Sequence, residues 1–173
     1  MFVFHTKNNM KAIAFISLFL IVHCSGCPDG WLSVGSSCYR ASVERMTWYE
    51  AQEDCWAHGG YLAELLSREE ELAVNEVFNH DEHFWIGLND VAQEGNENQK
   101  VLRISKNVTP GRFMWQESHQ VVEYANWNDG EPNNFFGVED CVFKKDDAWN
   151  DADCTIPHDS GFNPIYGLCE MDN

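Results

Sequence analysis

Basic charge is scarce in this chain: 11 Lys and Arg stand against 28 Asp and Glu, a formal net charge of −17 at pH 7. That excludes the phosphate-neutralising surface a nucleic-acid binder needs and disfavours docking on anionic membranes. Long hydrophobic runs are also lacking. Ala12 to Val22 is an eleven-residue run interrupted only by Ser17, well short of the about 20 residues a helix needs to cross a bilayer, so no membrane span is expected. There is no internal repeat and no low-complexity tract. The linear EF-hand loop is absent, so any calcium must be held by separate segments. Beyond residue 26 there is no Cys-x-x-Cys pair and no His-x-x-x-His run beside the cysteines, which argues against zinc. No Ser-His-Asp motif occurs, and an enzyme is the least supported class.

What is present begins with a leader. Lys7 and Lys11 precede the apolar run, and Ser25 and Gly26 follow it. A basic segment, a short apolar segment and small residues read as a secretory signal peptide over 1–26, with Met10 an alternative start. Its removal takes the formal charge from −17 to −19, because residues 1–26 hold two Lys and no Asp or Glu. The remainder, 27–173, is sized for one domain with its own core. Six cysteines stay in it: Cys27, Cys38, Cys55, Cys141, Cys154 and Cys169. An even number in a secreted, extracellular chain reads as three bridges, with 15 pairings open. Were cleavage to fall before Cys24 instead, the leftover thiol could link two copies into a homo-oligomer.

The first third reads as helical. Thr47 and Glu50 form a capping box, Trp48, Ala51 and Cys55 share the face behind it, and Gly59-Gly60 ends the helix. Ser67 and Glu70 form a second capping box. Leu72, Ala73, Val77 and Phe78 supply an apolar stripe for a helix over about 67–79. Short strands are predicted at Tyr61–Leu65, Phe84–Leu88, Phe113–Trp115, Cys141–Phe143 and Tyr166–Glu170. Between them lie long stretches rich in Asn, Asp, Gly and Glu, Asn89–Asn98 and Asn126–Asp140. Loops of that length in a compact domain serve function or are disordered. Flanking cysteines and the embedded Trp127 and Trp149 favour function.

Three tripeptides carry the chemistry: Glu131-Pro132-Asn133, Glu139-Asp140-Cys141 and Trp149-Asn150-Asp151. Each offers carboxylate or amide oxygens, the hard ligands of which calcium takes six to eight. Singly, each is an ordinary solvated turn. Together, in this order and among cysteines, they point to one calcium site assembled from loops. Trp31, Trp48, Trp85 and Trp149 read as core. Phe135 and Phe136 follow the first tripeptide directly, and either stack on a sugar or pack inside the loop.

These residues, with Cys27-Pro28-Asp29-Gly30-Trp31, Cys38-Tyr39, Trp85-Ile86-Gly87-Leu88 and Cys169-Glu170, make the chain from Cys27 to Asn173 resemble the C-type lectin-like domain family. The resemblance implies an α+β fold of two helices and two small antiparallel sheets beneath a long calcium-binding loop region. It implies the pairs Cys27–Cys38, Cys55–Cys169 and Cys141–Cys154, the first marking the long form with an N-terminal hairpin. It implies that Glu131, Asn133, Glu139, Asn150 and Asp151 coordinate Ca²⁺ and hydrogen-bond two vicinal sugar hydroxyls. The Glu-Pro-Asn order implies equatorial 3- and 4-hydroxyls, as in mannose, N-acetylglucosamine and glucose, with fucose through an equivalent diol. In such relatives the bond before Pro132 is cis. A second calcium set is implied at Asp90, Glu94, Asn134, Glu139 and Asp140. Asn134 departs from the Asp common there, which weakens that site. The stretch from Gly95 to Pro110 is an insertion relative to the family's usual length, and Asn107-Val108-Thr109 within it is an N-glycosylation sequon.

The leading expectation is a secreted, calcium-dependent carbohydrate-binding protein used in glycan or microbe recognition, as in innate immunity. An acidic structural or mineral-matrix protein of the same fold is the alternative. A third reading, a lectin-like fold that binds protein or ice, is weakened by the intact ligand set.

Overall fold

The computed structural model describes residues 26–78, 82–91, 112–156 and 165–173. The expectations for the leader, for Glu94, for Asn107 and for the 95–110 insertion fall outside those residues.

The chain opens with a hairpin of β1 (Leu32–Val34) and β2 (Ser37–Arg45). Helix α1 (Trp48–Ala57) follows, then β3 (Tyr61–Leu62) and helix α2 (Arg68–Val77). Strands β4 (His83–Asn89), β5 (Met114–Trp115), β6 (Cys141–Lys145), β7 (Ala148–Ala152) and β8 (Ile165–Asp172) complete the described elements. The order along the sheet is β1-β2-β8-β4-β6-β7, with β3 on β8 and β5 on β4. Every pair is antiparallel except β4 with β8, where Phe84 lies opposite Tyr166. Instead of two separate antiparallel sheets, that parallel pair joins the strands into one mixed hydrogen-bonded network. The α+β class stands.

Strand β4 explains why a single sheet can carry two cores. All seven of its residues are buried. Its period of two sends Phe84, Ile86 and Leu88 into a core with Leu65, Val74, Trp115 and Trp149. Trp85 points the other way, into a core with Trp48, Ala51, Cys55 and Leu62. Gly87 is required here: a Cβ would stand 2.6 Å from the carbonyl oxygen of Leu62. The buried indoles of Trp48 and Trp85 are hydrogen-bonded as burial demands. Trp48 Nε1 donates to Ile86 O at 2.9 Å and Trp85 Nε1 to Met46 O at 2.8 Å.

Helix α1 forms as the sequence predicts. Thr47 accepts from Glu50 N, and the Glu50 carboxylate accepts from Thr47 N at 2.8 Å. Helix α2 requires two corrections. Ser67 does accept from Glu70 N, but Glu70 does not close the box on Ser67. Its carboxylate accepts instead from Leu66 N and from the hydroxyl of the buried strand residue Tyr39. The predicted stripe is also rotated. Ala73 and Phe78 of that stripe do pack against the core, but Leu72 and Val77 are exposed, while Glu71, Val74 and Asn75 are buried. Polar partners from distant loops make Glu71 and Asn75 the inward residues.

Three disulfides lock this frame. Cys27–Cys38 pins the hairpin, Cys55–Cys169 ties α1 to β8 across 114 residues, and Cys141–Cys154 clamps the start of β6 to the segment after β7. These are the pairs the family resemblance implies.

Candidate functional site

The site is built on β7 and on the loop that leads into β6. Strand β7 is a short hairpin partner of β6, with Lys145 opposite Ala148 and Val142 opposite Asp151. The hairpin turns on Asp146, at φ 50°. The incoming loop runs beside β7. Trp149 N donates to Asn126 O at 2.8 Å and Asn128 N to Trp149 O at 2.9 Å. A turn then closes from Glu131 N to Asn128 O at 3.0 Å. This brings Glu131 over Asn150 and Asp151, and the Glu131–Pro132 bond is cis.

Four of the five residues expected at the primary site form one hydrogen-bonded cluster. Asn133 Nδ2 reaches both Glu131 carboxylate oxygens, at 2.8 and 2.7 Å, and Asn150 Nδ2 reaches Oε1 at 3.2 Å. Asp151, only 4% exposed, accepts from the backbone of Asn133 at 3.1 Å and of Asn134 at 2.8 Å. Glu139 joins through the loop: it accepts from Phe135 N at 2.6 Å, while its own N–H donates to Asn134 Oδ1 at 3.2 Å. Burial, and then the approach of Asp151, hold the Glu131 carboxyl above the usual carboxylate range, against the lowering pull of Asn133. Burial also raises Glu139, with Asp151 and Asp153 adding to it and the Phe135 amide opposing. Crowded carboxylates are held together here at a cost to ionisation, which is relieved by a cation.

The donor set fits a hard cation in kind: carboxylates of Glu131, Glu139 and Asp151 with amides of Asn133 and Asn150. Both amide NH₂ groups are turned to Glu131, which leaves their carbonyl oxygens as the ends open to a ligand. Among the described residues, no three His, Cys, Asp or Glu side chains stand at metal-ligand spacing by themselves. A cation must therefore draw on the amides, and the backbone N–H groups that brace Asp151 must yield to it. Of the auxiliary set, Asp90 N donates to Asp140 O at 2.9 Å, and Asn134 spends its oxygen on Glu139 N.

A buried hub beneath the site was not visible in the sequence reading. Glu71, fully buried on α2, accepts from Trp149 Nε1 at 2.7 Å, from the Tyr124 hydroxyl and from Asn126 Nδ2 at 3.0 Å. Trp149 and Asn126 are the residues that set β7 against the loop. The available signal was the spacing 71, 74, 75, 78, a helical face with two polar members.

Phe135 and Phe136 are 60% and 86% exposed, so neither packs into the loop. Trp31, Trp48, Trp85 and Trp149 are buried, as expected.

Two helices, a mixed sheet and an irregular loop carrying paired carboxylates and amides define a loop-borne binding domain of the α+β class. The chain belongs to the C-type lectin family: the profile of the lectin C-type domain matches residues 44–160. The family is one of binding domains and not of enzymes. The chain is 33% identical over 129 residues to the rat versican core protein, a match covering 72% of this chain and 4% of that relative. The chain thus spans only a small part of that much longer protein. It is 28% identical over 162 residues to a perlucin-like protein of the mussel Mytilus galloprovincialis, covering 86% of this chain and 93% of that one. Among solved structures it is similar to the cow C-type carbohydrate-recognition domain of CD23, determined in the presence of GlcNAc2Man3 oligosaccharide. There the TM-score is 0.65 at 28% identity, covering 87% of this chain and 98% of the other.

Proposed function

We propose that this protein is a secreted, calcium-dependent lectin that binds glycans presenting equatorial vicinal hydroxyls, as in mannose, N-acetylglucosamine or fucose-type ligands. The observation that carries the reading is the cluster of Glu131, Asn133, Asn150 and Asp151, with Glu139 on the same loop. These five residues would hold calcium, which when bound supplies a Lewis-acid anchor for two hydroxyl oxygens. The carboxylate of Glu131 is an acceptor for a hydroxyl proton. The Asn133 amide, now spent on Glu131, is a donor for a hydroxyl lone pair. A vicinal diol needs that pairing of acceptor and donor, and their order selects its orientation. The relative crystallised with a mannose-containing oligosaccharide supports the same ligand class. Three disulfides and the leader-like segment 1–26 support an oxidising, extracellular destination. Asp90, Glu94, Asn134 and Asp140 would form a weaker second calcium site.

A glycan array probed in calcium and again in chelator tests this. Mannose-type signals should appear only in calcium; signals indifferent to chelator would overturn it. The formal charge of −17 favours a second reading, an acidic mineral-matrix protein. Calcium-carbonate adsorption unaffected by Asp151→Ala, with no sugar elution, would favour that one.

A further inference from the structure

The loop 131–139 does two things at once: it gathers the polar cluster, and it displays two aromatic rings to solvent. Phe135 and Phe136 are exposed, their ring centroids are 4.2 Å apart, and the planes are tilted by 51°. The backbone goes out of its way for this display. Phe136 sits at φ 57° and ψ 5°, a left-handed conformation that a bulky side chain rarely adopts. Asn134 is at φ 44° and Gly137 at φ 72°, and the turn closes from Gly137 N to Asn134 O at 2.8 Å. The base of the turn is tied to the polar cluster, through Asn134 N on Asp151 and Phe135 N on Glu139. The rings are therefore fixed relative to those carboxylates and are not on an independent flap.

We propose that Phe135 and Phe136 form a stacking platform for a second saccharide residue of a glycan whose first residue occupies the Glu131–Asn133–Asp151 cluster. This rests on the lectin reading above. A sugar ring has one face of C–H groups that is apolar and about the size of an aromatic ring. It also has hydroxyls at its rim that are at ease beside carboxylates. An anionic membrane is disfavoured by the charge of −17 and by the carboxylates of Glu131, Glu139 and Asp140 on the same stretch of chain. A stable protein partner needs roughly 800 Å² on each side, far more than two rings and the half-exposed Val138 offer. One sugar residue matches the size of the platform. The platform makes the protein selective for oligosaccharides over the single sugar.

The test compares methyl α-mannoside with α1-3, α1-6 mannotriose by calorimetry in calcium, on wild type, Phe136→Ala and Phe136→Trp. Phe136 is solvent-exposed, so its variants should fold. Mannotriose affinity should fall about threefold to tenfold in Phe136→Ala, the range an aromatic contact commonly contributes, while methyl mannoside affinity stays unchanged. Phe136→Trp should restore the difference. Equal loss for both sugars, no loss for either, or a concentration-dependent dimer in sedimentation that Phe136→Ala abolishes would each overturn the platform. If wild type bound methyl mannoside in calcium but showed no preference for mannotriose, the platform would be wrong and the lectin reading would stand. If wild type bound neither sugar, the lectin reading itself would fail.

Discussion

Under the proposed lectin reading, selectivity would turn on Glu131, because it receives amide protons from both Asn133 and Asn150. A sugar hydroxyl that donates to Glu131 must compete for that acceptor, and one that accepts must take the Asn133 amide. Exchanging the two, Glu131→Gln with Asn133→Asp, keeps one amide and one carboxylate but swaps donor and acceptor. A mismatched buried polar group costs about 1 to 3 kcal/mol, so mannose affinity should fall about tenfold or more in the double variant. Competition binding on immobilised mannan measures it. Asp151→Ala is different. Both carboxylate oxygens of Asp151 brace the loop backbone, so its loss should remove calcium and sugar binding together. That these residues come together was legible from the order of three tripeptides. Their present hydrogen bonding was not, because backbone N–H groups that fill carboxylate acceptors leave no mark on side-chain identity.

At the scale of elements, α2 and β7 act as a pair. The hub at Glu71 joins them, and Trp149 passes its position to Asn128 and so to Glu131. Removing the acceptor with Glu71→Ala leaves the buried Trp149 indole N–H without a partner, a loss of about 1 to 3 kcal/mol readable by urea denaturation. Calcium affinity should fall about tenfold in the same variant, as for outer partners of other metal sites. Glu71→Gln, which still accepts from the indole, should recover most of both. If Glu71→Ala lost stability and kept its calcium affinity, the hub would be structural only. Helix α1 was readable because its cap and its face are local. The inward face of α2 was only partly readable, through Ala73 and Phe78, because Glu71 and Asn75 are buried by partners far along the chain, Trp149 and Asp147 among them. Strand β7 escaped prediction because Ala-Trp-Asn-Asp-Ala is a poor strand former. Its extended state is imposed by pairing with β6. The same applies to the parallel β4–β8 contact, which joins residues some 80 apart with no local signature.

For the molecule as a whole, calcium and protons should oppose each other. Burial raises Glu131 and Glu139, and it pushes Glu170, in the sheet beneath, up to about 7. A carboxyl raised in the folded state stabilises the fold below its ordinary range and loses that contribution as pH climbs through the raised value. In chelator, the thermal midpoint should therefore fall as pH rises from about 5 to about 8. In calcium the balance changes, since deprotonated ligands bind the ion and bound ion stabilises the fold by mass action. The midpoint difference between calcium and chelator should be largest near neutrality and above, and should shrink as pH falls toward about 5. Differential scanning fluorimetry across that grid checks both signs. Reducing the 114-residue Cys55–Cys169 link should cost more than losing either short bridge. The loop-entropy estimate is about 4 to 5 kcal/mol.

If Glu131, Asn133, Glu139, Asn150 and Asp151 hold calcium as proposed, the sugar binds only through it. Calorimetric titration of methyl α-mannoside into the intact protein, first with saturating calcium and then with excess chelator, tests this most directly. Binding should be saturable in calcium, disappear in chelator and return when calcium is restored. Equal heats in the two conditions, or none in calcium with the ion demonstrably bound, would contradict it.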